Sequence, residues 1–370
     1  MGTFIGKLGL AILATGVAAF AGCQLSAAQT GAAPTSKTPC MDVLGLFTAP
    51  NVPEMGKGEA PCPPGSWRNG VTPDNLPGKG LAQHPMLLVG ENYDKMFLIN
   101  GGKVIWTYST GSSYEYDDVW MLSNGNILFT RMEYIAEVTP DKKEVWRYDC
   151  VKEAGVNHTE VHTCQPIGLD KVMFVVNGLP PKLKIINIKT GAVEVDHELP
   201  FQQPPNPNGI HGQFRRARVT AQGTYLVSVF GMGYIAEYDK DFKEIWRYTC
   251  RSPWSALRLK NGNTLVTNEA ESLTREVNPK GETVWEIKTS DLPKEYQFKT
   301  APQTATRLEN GNTILTSRGD GKGTGPMMVE VNKDKKVVWV LQDWKTLGPI
   351  TTVQVLDDPG VPEIPGQSEH

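Results

Sequence analysis

The chain is most informative when compared with itself. Residues 134–150 read YIAEVTPDKKEVWRYDC and residues 234–250 read YIAEYDKDFKEIWRYTC, with 11 of 17 positions identical at an offset of 100. Related units recur as LKNGNTLVTNEAESLTREVNPKGETVWEIK at 259–288 and LENGNTILTSRGDGKGTGPMMVEVNKDKKVVWVL at 308–341. A unit this short cannot bury an apolar face alone, so it must stack on copies of itself. A chain of 370 residues would otherwise suggest two or three domains; the repeat points to one continuous array.

The units share a grammar. An alternating strand ends in Leu, and an Asn-Gly pair follows: Asn124-Gly125, Asn261-Gly262 and Asn310-Gly311. Asn-Gly tolerates positive φ at both central positions, as a two-residue hairpin turn demands. A β-rich strand comes next, then a third strand ending at a polar turn such as Asn278-Pro279-Lys280-Gly281. The fourth strand carries a tryptophan: Trp106, Trp146, Trp246, Trp285 and Trp339. Recurrence once per unit assigns these rings to wedging between neighbouring units.

The pattern predicts an all-β, six-bladed β-propeller of four-stranded antiparallel blades, near 84–110, 115–150, 158–197, 210–250, 253–290 and 300–342. Blade 3 is degenerate, with Val195 where Trp is expected, and blade 1 lacks an innermost strand. Ile350–Leu356 is an orphan strand after blade 6. Pairing it with Met86–Gly90 would close the ring and remove exposed edges. The implied organisation is 1–22 signal peptide, 23–83 tether and proline-rich segment, 84–358 propeller and 359–370 tail.

The Asn-Gly-Asn-Thr-Leu and Gly281-x-x-x-Trp285 patterns look like those of quinoprotein-type propellers. Within that superfamily the chain resembles the arylsulfotransferase-like group of bacterial extracytoplasmic proteins over about 84–358. The likeness implies the fold; carried to activity, it implies a histidine attacking the sulfur of a sulfate ester while arginines balance the oxygens' charge. His211 would be that nucleophile. Quinone-dependent dehydrogenases of this type have more blades and an adjacent cysteine pair, which this chain lacks. The leading reading is a ligand-binding or protein-scaffold module of the cell envelope, resembling in architecture the propeller subunit of outer-membrane protein assembly, with the arylsulfotransferase-like enzyme the alternative.

The N-terminus reads as an export signal: Lys7 precedes an apolar run, Leu8 to Gly22, too short to span a bilayer. Phe20-Ala21-Gly22-Cys23 resembles a lipobox, in which Cys23 would be acylated, whereas Ser26-Ala27-Ala28 offers an ordinary cleavage site. Both readings place the protein outside the cytoplasm, in the periplasm or at the outer membrane, touching membrane only through a lipid anchor. Export makes disulfides plausible among Cys40, Cys62, Cys150, Cys164 and Cys250, with Cys40–Cys62 the first choice because both lie ahead of the repeats. A net charge of −3 gives no reason to expect nucleic acid. The partners expected are a small-molecule anion or an envelope protein.

Chemistry is expected where the repeat breaks down. The longest inter-blade connections are 151–162 and 198–216, and long loops on a rigid scaffold carry function. His158, His162 and His211 lie in or beside them. His211 and His158 are the candidate catalytic residues, with His162, Arg215, Arg216, Arg318, Asp118 and Trp254 as candidate ligand contacts. Histidine with guanidinium groups suits a sulfate or carboxylate held by forked hydrogen bonds. Tyr116, Asp117 and Asp118 open blade 2 and could face the same channel. Arg258 and Arg307 share the register of Arg218, which assigns them to pairing between blades. No cofactor is expected; the three histidines leave a metal ion open, although His158-x-x-x-His162 puts both rings on one face only in a helix, and here it precedes a strand.

Overall fold

A computed structural model describes residues 36–62, 65–91, 93–111, 115–150 and 158–370. The signal segment, Cys23 and most of the tether lie outside the described residues. No helix among the described residues is long and apolar enough to cross a membrane.

Six four-stranded antiparallel sheets form a ring of blades. Blade 1 contains β1 (Met86–Gly90), β2 (Tyr93–Asn100) and β3 (Lys103–Ser109). Blade 2 is β4 (Val119–Met121), β5 (Ile127–Arg131), β6 (Tyr134–Val138) and β7 (Glu144–Asp149). Blade 3 is β8 (Glu160–Ile167), β9 (Lys171–Asn177), β10 (Lys182–Asn187) and β11 (Val193–Glu198). Blade 4 is β12 (Ala217–Val219), β13 (Tyr225–Val229), β14 (Tyr234–Tyr238) and β15 (Glu244–Thr249). Blade 5 is β16 (Pro253–Arg258), β17 (Thr264–Asn268), β18 (Leu273–Val277) and β19 (Thr283–Lys288). Blade 6 is β20 (Ala305–Arg307), β21 (Thr313–Thr316), β22 (Met328–Val331) and β23 (Val337–Leu341). The last strand, β24 (Thr352–Val355), is the inner strand of blade 1, pairing Met86 with Val355 and Val89 with Thr352. The ring is therefore closed by joining its two ends, as the orphan strand implied, and no blade-1 edge is left facing the channel.

The repeat grammar has a physical basis at two places. In the first turn of blade 2, the Leu122 amide donates to Asn126 O and the Gly125 amide to Leu122 O, each at 2.8–2.9 Å. Only the glycine has positive φ, +87°. The loop thus spans three residues with glycine in the left-handed position, not the two-residue turn the Asn-Gly pair suggested. Asn124 serves instead as an acceptor, taking the Asn126 amide at 2.9 Å. Blade 4 makes the same loop around Gly223 without any Asn.

The second place is the joint between blades. Trp106 Nε1 donates to Pro140 O of blade 2 at 2.8 Å, and Trp246 Nε1 to Pro279 O of blade 5 at 2.9 Å. Arg307 reaches back to Glu276 at 2.9 Å and lies 5.0 Å over the Trp285 ring. Arg258 pairs with Glu237 in the same manner and lies 4.9 Å over Trp246. These two arginines pair neighbouring blades, as their shared register predicted; Arg218 also reaches the neighbouring blade, at Thr163 and Cys164 O, but its carboxylate partner in blade 2 is described below.

The expected disulfides are a correction. No disulfide links any of the five described cysteines. Cys40 is buried against blades 1 and 2, its Sγ 3.3 Å from Met121 O, whereas Cys62 packs on a separate apolar cluster between blades 6 and 1. Cys150, Cys164 and Cys250 are built into buried blade positions. The segment ahead of the repeats is held by apolar contact instead, with Phe47 edge-on to Trp106 at 5.6 Å.

The tail follows the face bearing the first turns of blades 2 and 3. Glu363 accepts the Ser123 amide at 2.5 Å and its carbonyl takes the Gly168 amide. His370 is buried in the central channel, its Nε2 2.7 Å from Val119 O and its ring 4.2 Å from that of Trp120.

Candidate functional site

On the opposite face, the entries to the inner strands of blades 2, 3 and 4 bring seven ionisable side chains together. Blade 3 contributes Glu160 and His162, which alternate onto one side of β8. The β8–β9 register shifts between Val161 and Cys164, a bulge that re-aims His162. His162 thus belongs to the strand that the sequence placed after it. Blade 2 contributes Glu115 and Asp117 just ahead of β4. The loop before blade 4 forms a short 3-10 turn, Pro207–Gly212, capped by the Asn206 side chain, and carries His211.

Glu160 is the hub. Its Oε2 lies 2.9 Å from His162 Nε2 and 2.8 Å from His211 Nδ1, and its Oε1 lies 2.5 Å from His158 Nε2. His162 Nδ1 is 2.5 Å from Asp117 Oδ2, with Glu115 at 4.0 Å. Arg215 donates to His211 Nε2 at 3.0 Å and to His211 O at 2.8 Å. A guanidinium can only donate. His211 Nε2 must therefore accept, which puts its ring proton on Nδ1, facing Glu160. The His211 side chain is 45% exposed, while those of His162 and Asp117 are 1% exposed. The cluster therefore has a sealed floor and two open rings, His211 and the 53% exposed His158.

Charge in the cluster is unevenly satisfied. Burial pushes the Glu160 carboxyl up, but hydrogen bonds from His162 and His211 outweigh it and hold the group well below the usual range. Burial and Arg215 pull His162 down, yet its contacts with Asp117 and Glu160 win and raise it. Burial, then the nearby Asp117 and Glu91, push the Glu115 carboxyl up to about 8. The floor thus crowds Glu115 against Asp117 and Glu91, and the repulsion favours its protonated form. Across the mouth, buried Glu91 accepts from Gln303 at 2.5 Å and from Arg318 at 2.6 Å.

His158, His162, His211 and Arg215 are brought together at this mouth. Arg318 lies across it, on Glu91. Asp118 and Arg216 are elsewhere: fully buried below the mouth, in contact with one another, with Arg218 completing the group at 2.7 Å. Trp254 is also buried, with both Arg215 and Arg216 within 6 Å of its ring. Sequence reasoning passed over Glu115 and Glu160. Their signal was present in Glu160-x-His162 and Glu115-x-Asp117, polar pairs at the spacing that puts both side chains on one face of an extended strand.

The sequence matches no family model and no curated protein. Solved structures share the fold. A protein of unknown function from Bacteroides caccae is similar at 24% identity and a TM-score of 0.63, covering 72% of this chain and 97% of that one. A catalytically inactive virginiamycin B lyase from Staphylococcus aureus with quinupristin is 11% identical, with a TM-score of 0.49 over 74% of this chain and 92% of that one. The extracellular domain of a hybrid two component system from B. thetaiotaomicron is 14% identical, with a TM-score of 0.47 over 80% of this chain and 36% of that one. The likeness to the B. caccae protein shows the fold and nothing about activity.

Proposed function

We propose that this is an exported propeller of the cell envelope whose blade 2–4 mouth binds a small polar molecule. The observation that supports this reading is the combination of a half-open His211 with a buried, carboxylate-rich floor. Folding alone does not require such a floor, since a buried charge costs stability unless it is paired. The ligand would offer an anionic group to Arg215 and Arg318 and hydroxyl or protonated groups to Glu115 and Glu160. A lipid anchor at Cys23 would hold the protein at the membrane.

One observation favours an enzymatic version. Glu160 accepts from His211 Nδ1 and so leaves Nε2 the basic nitrogen of the ring, as a nucleophilic or proton-transferring imidazole needs, with Arg215 the donor that an incoming group would displace from it. Arg215 beside Nε2 would balance charge on a transferred sulfuryl group, as the arylsulfotransferase resemblance implies. The test is calorimetric titration of the mature protein with aryl sulfates and the corresponding phenols and carboxylates. Binding that disappears in His211→Ala supports the mouth as the site, and binding unchanged in that variant removes it. Sulfuryl transfer to a phenol acceptor would separate enzyme from binding protein.

A further inference from the structure

We propose that Glu160, His162 and His211 form a three-ligand site for a zinc-class divalent cation, whose open position would receive the small molecule. This rests on the mouth being the ligand site. Three donor atoms, Glu160 Oε2, His162 Nε2 and His211 Nδ1, lie within 4.8 Å of one another. They come from two separate elements, β8 and the 3-10 turn, so the ring of blades rather than local spacing assembles them.

Donors around a tetrahedral zinc stand about 3.4 Å apart, given bonds of about 2.1 Å. Here Glu160 Oε2 is 2.9 and 2.8 Å from the two imidazole nitrogens. Opening each contact by roughly half an ångström would admit the ion. The two rings meet edge to face with centroids 5.1 Å apart, leaving both nitrogens directed at the shared oxygen.

Two further observations point to a cation. Asp117 Oδ2 holds His162 Nδ1, the carboxylate–histidine arrangement that orients a metal-binding imidazole, and the proton that His162 Nε2 gives to Glu160 would leave to solvent when the ion binds there. The second Asp117 oxygen, Oδ1, is buried and has no hydrogen-bond partner among the described residues, although Asp117 is only 1% exposed. A buried carboxylate oxygen lacking a donor marks a place short of positive charge. Two imidazoles with one carboxylate favour zinc or a neighbouring first-row ion over magnesium and calcium, which prefer all-oxygen shells.

Arg215 opposes this occupancy. Binding at His211 Nδ1 moves the ring proton to Nε2, where it meets the Arg215 donor and breaks that hydrogen bond. Arg215 would therefore act as a brake on metal affinity, and its removal should tighten binding. No ordinary structural role predicts that sign.

The experiment uses the full mature chain, stripped with EDTA and titrated with zinc, cobalt or magnesium chloride. Zinc should bind at one ion per chain and raise the melting temperature by at least about 3 °C at saturation, with magnesium giving no shift. Glu160→Gln and His211→Gln should each weaken zinc at least tenfold, and Arg215→Gln should strengthen it severalfold. If Glu160→Gln fails to fold, His211→Gln, altered at an open ring, still decides. Cobalt should give visible bands without thiolate charge transfer; thiolate bands would place the ion on a cysteine and overturn the proposal. So would the absence of bound zinc, or unchanged affinity in His211→Gln. Absent zinc with small-molecule binding still lost in His211→Ala would sink the metal site alone and leave the binding mouth standing.

Discussion

Asp117 and Asp118 are adjacent in sequence, both buried in the channel wall, and they occupy opposite electrostatic situations. Asp118 faces the lower layer, where Arg216 and Arg218 bracket it, Thr163 adds a hydroxyl at 3.1 Å, and the Cys164 amide lies at 3.0 Å. Burial raises its carboxyl, but the two guanidiniums override burial and hold it down to about 2. Arg218 also donates to His370 O at 2.8 Å, so the tail completes the layer. Asp117 faces the upper layer, where Glu115, Asp117 and Glu160 crowd together, one Asp117 oxygen has no hydrogen-bond partner among the described residues, and the top opens through His211 and His158. Strand alternation produces the split, sending Asp117 and Arg215 up and Asp118 and Arg216 down. The lower layer is closed to solvent and its central carboxylate is fully engaged, although Arg216 Nε there also lacks a hydrogen-bond partner among the described residues. The upper layer tolerates unmet charge, the condition found where a protein serves something besides its own stability.

The largest expected effect lies in the lower layer. Asp118→Asn leaves the buried Arg216 guanidinium unbalanced and Arg218 with Glu369 alone, and should cost about 3–5 kcal/mol, read from urea unfolding. A loss under about 1 kcal/mol would show that the lower layer is not structural.

Next is the acid limb. Burial, then Arg218, push the His370 imidazole down to about 4. A histidine kept neutral in the fold contributes stability above its ordinary value near 6.5 that is lost as pH falls toward 4. That group alone should remove about 3 kcal/mol across this window. A chain ending at Gly360 should lose that part of the acid sensitivity; an unchanged acid limb would remove His370 from the account.

Smaller again is the regular joint. Arg307→Ala removes a partly exposed pair with Glu276 and a contact with Trp285, and should cost about 1 kcal/mol while leaving ligand binding intact. Smallest is His211→Ala, whose half-exposed ring should change stability by under about 0.5 kcal/mol while abolishing binding. A large loss in His211→Ala would make the upper layer as structural as the lower.

The fold was legible because it is local and repeated. Each glycine turn, each wedge tryptophan and the Arg258 and Arg307 register recur within the chain, and the orphan strand had one economical place to go. The site was legible only in part. His162, His211 and Arg215 stood out because they fall where the repeat is interrupted. Glu115 and Glu160 did not, because glutamate is common on solvated strands and convergence across three blades is a property of the closed ring. Asp118 and Arg216 were read as ligand contacts for the converse reason. Their chemistry fits a ligand, and only the alternation at the inner strands, together with the tail beneath them, turns them toward each other. The cysteines misled because export permits disulfides without supplying geometry.

The central claim, that the upper layer forgoes stability for function, is tested most directly by Glu115→Gln. Burial, then Asp117 and Glu91, raise Glu115 to about 8 against an ordinary value of 4.5. Its protonated form is therefore favoured in the fold, and the stability it contributes is present below 4.5 and lost as pH rises through 8. Urea unfolding of wild type and Glu115→Gln should agree within about 0.5 kcal/mol at pH 5, and at pH 9 the variant should be more stable by about 2 kcal/mol. A variant less stable than wild type at pH 9 would show that Glu115 is a satisfied structural group and would contradict the account.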